Sequence, residues 1–67
     1  MYTVGVSYVF KIKIPESEKG FAYYTGKIED IQESQIFIYT IKQENLSFSL
    51  SQIMRSKEIW YLSKDET

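Results

Sequence analysis

The residues able to do acid–base or nucleophilic chemistry in this 67-residue chain are carboxylates and serines, because it contains no histidine and no cysteine. Glu29 and Asp30 are adjacent carboxylates inside a segment expected to be ordered. Neighbouring residues of a strand point to opposite faces, so without a bulge these two cannot act on one substrate. The serines lack a histidine or a Ser-x-x-Lys lysine that would activate a hydroxyl. We therefore expect no enzymatic activity.

The same composition argues against a metal site or a cofactor. Only carboxylate oxygens remain as ligands, which restricts any metal to hard cations. Glu16 with Glu18, and Asp65 with Glu66, lack the spacing of a calcium-binding loop. The three glycines are too dispersed to form a phosphate-binding loop. We expect neither metal nor cofactor.

Binding is the chemistry that the basic and aromatic residues favour. Lys11, Lys13, Lys27 and Lys42 could align across neighbouring strands as a positive stripe beside aromatic rings, which is what single-stranded nucleic acid or an acidic peptide requires. Protection of an edge strand explains Lys11 and Lys13 equally well. The net charge of −1 provides no long-range field for polyanions, so nucleic acid is the second hypothesis and protein the first.

The first lysines are positioned by an alternating pattern that opens the chain. Residues at even positions from Tyr2 to Ile14 are apolar, and most residues between them are polar. This period of two predicts one long strand with a buried even face. Pro15 and the polar residues up to Gly20 end it.

The rest of the chain favours four more strands in a single domain, 1–62, followed by a frayed polar tail, 63–67. Gly26 suggests a bulge or bend in a long second strand, and a polar break at 32–35 predicts a hairpin. Serines alternate with apolar residues in the fourth strand, although a helix over 46–62 is the rival interpretation. The predicted strands are 2–14, 21–31, 36–41, 46–50 and 59–62, with a short 3₁₀ turn within 51–56 that places Ile53 in the core.

These strands, together with local sequence, resemble the SH3-like and Sm-like family of small barrels. Residues 26–31 (GKIEDI), a polar turn and residues 36–38 (IFI) are similar to the first Sm motif, and residues 50–53 (LSQI) lie where the second motif falls. The resemblance implies an all-β, five-stranded antiparallel SH3-like barrel with a short 3₁₀ turn before the last strand. Gln32 and Ile36 occupy the positions of the family's RNA-contacting aspartate and asparagine, so its RNA site is not implied here.

Surplus apolar surface is the main functional signal. Both faces of the third strand are apolar, and the same ambiguity recurs at 59–62, so one face either is covered by the chain itself or binds a partner. The first hypothesis is a noncatalytic module that binds a protein or self-associates as a homo-oligomer. Its predicted contact residues are Phe37, Tyr39, Trp60 and Tyr61, with Arg55 and Lys57 at the rim. The alternative, single-stranded nucleic acid binding, assigns contacts to Tyr23, Tyr24, Lys27 and Lys42.

A third possibility, a small inhibitor that sequesters another protein, has no residue-level support. The N-terminus lacks the features of a secretory signal, and no apolar run approaches the roughly 20 residues of a membrane span. We expect a cytoplasmic protein that does not interact with membranes.

Overall fold

The computed structural model describes residues 2–59, which form one antiparallel five-stranded sheet with the strand order β4-β3-β2-β1-β5. The elements are β1 Ser7–Lys13, β2 Phe21–Gln32, β3 Gln35–Thr40, β4 Asn45–Ser49, a 3₁₀ helix Leu50–Gln52 and β5 Ile53–Glu58. The all-β class and the five antiparallel strands are thus confirmed. Because β4 and β5 lie at opposite ends of the sheet, the sheet is not closed into the predicted barrel. No helix within residues 2–59 has the length and apolar character needed to cross a bilayer.

The alternation of β1 creates the core, as the sequence predicts. Tyr8, Phe10 and Ile12 are buried on one face, whereas Lys11 on the other face is partly exposed. The strand begins at Ser7 rather than Tyr2, because the preceding segment turns at Gly5 with a φ of +92°. That turn brings the Tyr2 ring to 5.2 Å from the Tyr8 ring, edge to face. The fully buried side chains are those of Phe10, Ile12, Ile28, Ile36 and Ile38.

The long strand β2 joins the two halves of the sheet. It pairs with β1 through residues 21–27 and with β3 through residues 26–32. Gly26 lies in the overlap, where a Cβ atom would be 2.6 Å from the Tyr39 carbonyl oxygen. The predicted irregularity lies elsewhere: the register shifts between Ile28 and Asp30. The extra residue allows Ile28 and Ile31, three positions apart, both to pack against the core.

The structure shows which of the two apolar faces of β3 is buried. The hairpin predicted at 32–35 is confirmed by the pairing of Gln32 with Gln35. Ile36 and Ile38 point into the core, whereas Phe37 is partly exposed and Tyr39 is exposed. The odd positions therefore form the outward side of this strand.

The last strand that the structure describes, β5, spans Ile53–Glu58 and lies before the predicted strand 59–62. Ile59 follows the strand and is buried, and residues 60–62 lie outside the described residues, as does the predicted tail, 63–67. The 3₁₀ turn lies within Leu50–Gln52, with Ser49 as its N-cap. Ile53 directly after it packs against the core, as expected, although it is only partly buried.

Candidate binding face

The surface opposite the core, here called the outer face, gathers most of the basic side chains. Residues directly opposite each other on neighbouring strands share a face of the sheet. The register places Arg55 opposite Lys11, and Lys11 opposite Tyr23. Along β1, β2 and β5, alternate residues continue on this same face. We define the basic face as the five cationic residues on this side of the sheet: Lys11, Lys13, Lys27, Arg55 and Lys57.

Lys11 lies at the centre of the basic face, between a like charge and aromatic rings. Arg55 is its cross-strand partner in β5, and like charges placed directly opposite destabilise a sheet. On the other side its Nζ lies 4.3 Å from the centre of the Phe21 ring. That cation–π contact is worth about 0.5–1 kcal/mol at an exposed site. The Phe21 ring in turn contacts Tyr23 edge to face at 5.6 Å, and Tyr23 is 62% exposed.

The carboxylates of the described residues lie mostly away from these cations. Glu16 and Glu18 are in the β1–β2 loop, while Glu33 and Glu44 are in the β2–β3 and β3–β4 turns. Asp30 is on the outer face, but at the far end of β2. Its carboxylate oxygens accept hydrogen bonds from the Ile31 amide at 2.9 Å and the Gln32 side chain at 2.7 Å. Glu29 in β2 and Glu58 in β5 are also exposed, so five of the seven carboxylates of residues 2–59 lie in loops, in turns or at the far end of β2.

A cleft of about 150 Å³ opens where β2 and the end of β3 diverge. The last contact before the divergence is the hydrogen bond from the Ile41 amide to the Thr25 carbonyl, at 2.9 Å. Ile41 is 65% exposed, and the β3–β4 turn is held by the hydrogen bond from the Glu44 amide to Thr40 Oγ1. The residues lining this edge cleft are Tyr23, Tyr24, Thr25, Thr40, Ile41, Lys42 and Glu44.

Of the residues predicted to bind protein, the four that the structure describes lie on two separated strands. Phe37 and Tyr39 lie on the outward side of β3, whereas Arg55 and Lys57 lie on β5. β2 and β1 separate these two strands, so the two cations do not form a rim around the two rings. Trp60 and Tyr61 lie outside the described residues.

The residues predicted to bind nucleic acid are brought closer together. Tyr23, Tyr24 and Lys42 all line the edge cleft, while Lys27 lies on the outer face opposite Tyr39. The Tyr24 ring points inward and packs on Phe48 at 5.1 Å, so Tyr23 is the better placed of the two tyrosines for contact with a ligand.

Two residues of the site, Phe21 and Ile41, were missed by the sequence interpretation. Both lie at strand ends, where an apolar side chain gives no signal that distinguishes a site from core packing. Their roles depend on cross-strand contacts: Phe21 lies beneath Lys11, and Ile41 faces Tyr23 across the edge cleft.

Among residues 2–59, no three acidic side chains come together as candidate metal ligands. Compared with protein-family models, with curated proteins and with solved structures, the chain matches none of them. The functional argument therefore depends on the geometry of the outer face.

Proposed function

We propose that this chain is a noncatalytic binding module built on an open five-stranded sheet, and that it binds an acidic partner protein through the basic face. The observation that carries the proposal is the pairing of Lys11 with Arg55. Two cations directly opposite each other cost stability and contribute nothing to the core. An anionic partner would turn that repulsion into two favourable contacts.

Self-association through this face is disfavoured by the same charges. A twofold dimer brings each patch against its own copy, which would oppose Lys11 and Arg55 of one copy to those of the other. Juxtaposed like charges across an interface cost several kcal/mol. A partner of opposite charge is therefore favoured over a second copy at this surface.

The exposed rings give such a partner apolar contact area. Tyr23 is 62% and Tyr39 39% exposed, and both belong to the outer face. Tyrosine combines a large contact area with a polar tip, which makes it frequent at interfaces. Partner binding would then combine apolar contact with charge complementarity.

The proposal is tested by Arg55→Glu, with binding of a polyglutamate peptide measured by isothermal calorimetry at low salt. Reversal removes one surface contact and adds a repulsion of similar size, together about 0.4–2 kcal/mol, so Kd should rise about 2- to 30-fold. The same variant places Glu opposite Lys11 and should stabilise the fold by about 0.2–1 kcal/mol. A loss of binding therefore cannot be attributed to unfolding.

Lys19→Glu is the matched control, because it makes the same charge change in the exposed β1–β2 loop. It should affect Kd much less than Arg55→Glu does. Equal effects of the two variants would show that only net charge matters and would refute a role for the basic face. Light scattering of the wild-type chain should give a monomer; a stable dimer that Arg55→Glu tightens would favour self-association instead.

Single-stranded nucleic acid is the second candidate ligand, and the arrangement of Lys11, Phe21 and Tyr23 favours it. Non-specific single-strand binding needs cations that follow the phosphates and exposed rings on which bases stack. The exposed ring of Tyr23 lies directly opposite Lys11 in the sheet. The acidic net charge ranks this candidate second, because it weakens the attraction of a polyanion from a distance.

A further inference from the structure

The first half of β2 has an edge that no strand of residues 2–59 covers. β3 pairs with β2 only from Gly26 onward, so residues 21–24 have a strand partner on the β1 side alone. The Ile41 amide bonds to the Thr25 carbonyl. Beyond that contact the two chain segments separate, and the edge cleft begins.

The backbone groups of this edge that no strand of residues 2–59 pairs can be assigned from strand geometry. In an antiparallel strand, the amide and carbonyl of one residue point to the same side, and successive residues alternate. Ile28 exchanges hydrogen bonds with Gly5 and Val6, on the β1 side, whereas Thr25 accepts one from the opposite side. Phe21 and Tyr23 therefore direct their amides and carbonyls away from β1, toward the open edge.

The edge cleft is next to these groups and is of a size to hold one side chain. Its volume of about 150 Å³ equals that of a protein cavity that binds a benzene-sized group. Tyr23 and Ile41 provide exposed apolar walls. An extended chain hydrogen-bonded along β2 would place alternate side chains on one face, one of them in the cleft.

The charges around the edge identify what kind of chain it would accept. Lys11 and Lys13 lie opposite Tyr23 and Phe21 on β1, and Lys42 lines the cleft. Glu44 is the single carboxylate among the lining residues. Within the cleft Lys42 and Glu44 offset each other, so Lys11 and Lys13 are the cations that complement acidic side chains on either side of an apolar one.

We propose that the open edge of β2 binds an extended acidic segment of a partner protein by strand addition, with one large apolar side chain inserted into the edge cleft. This rests on the proposed function, because Lys11 belongs to the basic face. It adds a mode of binding, through main-chain hydrogen bonds from Phe21 and Tyr23, and it adds the cleft as the determinant of specificity.

The test uses a fluorescent peptide of alternating Glu and Thr with a central Leu, so that Leu and Glu share one face of the strand. Ile41→Glu introduces repulsion into the cleft and should weaken binding at least tenfold. The matched control is Met54→Glu, which makes a similar change at a 53% exposed residue of β5 and should change Kd less than twofold. Because both side chains are exposed, both variants should retain the dispersed amide spectrum of the folded chain.

Main-chain pairing is tested separately by methylating the peptide amides on either side of the Leu. Strand addition predicts at least a tenfold loss of affinity, because the methyl groups remove donors and block the edge. The bound unmethylated peptide should also slow hydrogen exchange of the Tyr23 amide at least tenfold. Exchange of the Tyr24 amide, which already faces β1, should change much less.

Equal binding of the methylated and unmethylated peptides, with unchanged exchange at Tyr23, would overturn strand addition. The proposed function would survive that result if Arg55→Glu still weakened polyglutamate binding. Binding of a thymidine oligonucleotide, with no binding of either peptide, would overturn both proposals and favour the nucleic acid alternative.

Discussion

Replacement of Gly26 by alanine should destabilise the protein through a backbone clash. The added Cβ would lie 2.6 Å from the Tyr39 carbonyl oxygen and 2.9 Å from the Thr40 Cα, whereas ordinary contact begins at 3.4 Å. Both atoms belong to the backbone of β3, so no side-chain rotation relieves the overlap. β2 and β3 must move apart by about 0.8 Å at their first pairs, which takes the adjacent hydrogen bonds beyond good geometry.

The expected cost is about 2–3 kcal/mol, from two weakened ladder hydrogen bonds of about 1 kcal/mol each and the strain of overpacking. A 67-residue chain has a total stability of about 3–10 kcal/mol, so the loss should be evident. Urea denaturation followed by circular dichroism gives the midpoint, and thermal unfolding should show Tm lowered by roughly 8–24 °C.

Gly5→Ala is the control for this variant. Nothing lies within 4 Å of a Cβ added at Gly5, so its cost comes only from the φ of +92° and should be about 1–3 kcal/mol. The two variants differ in mechanism. Gly26→Ala should speed amide hydrogen exchange in the β2–β3 pairing. Gly5→Ala should leave exchange there unchanged when the two variants are compared at the same global free energy of unfolding. A Gly26→Ala variant as stable as the wild type would show that β2 and β3 do not approach each other as closely as this argument requires.

Two further predictions concern the core and the second candidate ligand. Ile38 is 1% exposed, so Ile38→Ala should lower the free energy of unfolding measured in urea by about 2–5 kcal/mol. Ile41 is 65% exposed, so Ile41→Ala should change it by no more than about 0.5 kcal/mol. Similar losses in the two variants would contradict the assignment of the core face of β3. If the basic face binds a thymidine oligonucleotide, the plot of log K against log salt measured by fluorescence anisotropy should have a slope of about −0.7 per phosphate contact, and Lys11→Gln should make it shallower by about that amount. A slope that Lys11→Gln leaves unchanged would remove that residue from the nucleic acid site.

The core of the sheet could be predicted from the sequence because its pattern has a single period. Alternation in β1 identifies Phe10 and Ile12 as inward residues, and both are fully buried. The pattern overextends the strand toward Tyr2, since it contains no information about the backward turn at Gly5. The spacing of three between Ile28 and Ile31 was an available signal for the bulge, because only an extra residue brings both to one face.

The sequence pattern does not indicate the strand at 53–58, because β5 is polar for most of its length. Its residues are Ile53–Glu58, with the sequence IMRSKE, and two of the six are apolar. A strand at the end of a sheet has one neighbour, and it can be held by its main-chain pairing with β1 rather than by an apolar face. Apolar pattern therefore favours a strand at 59–62 over the hydrogen-bonded segment 53–58.

The candidate site depends on cross-strand register, which composition does not contain. Lys11, Lys13 and Lys27 could be predicted to share a face, but the pairing of β5 with β1 was needed to place Arg55 beside Lys11. The edge cleft likewise depends on where β3 stops following β2. No local pattern marks the divergence after Thr25, because it results from one strand serving two partners.

The like-charge pair of Lys11 and Arg55 has a physical implication. With opposite charges nearly balanced, the chain has enough carboxylates to place one opposite Lys11, which would stabilise the sheet. Instead, several carboxylates lie in loops and turns, and Lys11 is paired with Arg55. Cross-strand ion pairs and like-charge pairs each contribute up to about 1 kcal/mol, with opposite signs. The isolated fold is therefore less stable than it would be with a carboxylate in place of one of the two cations. The pair of cations becomes favourable when an anionic chain lies across the strands.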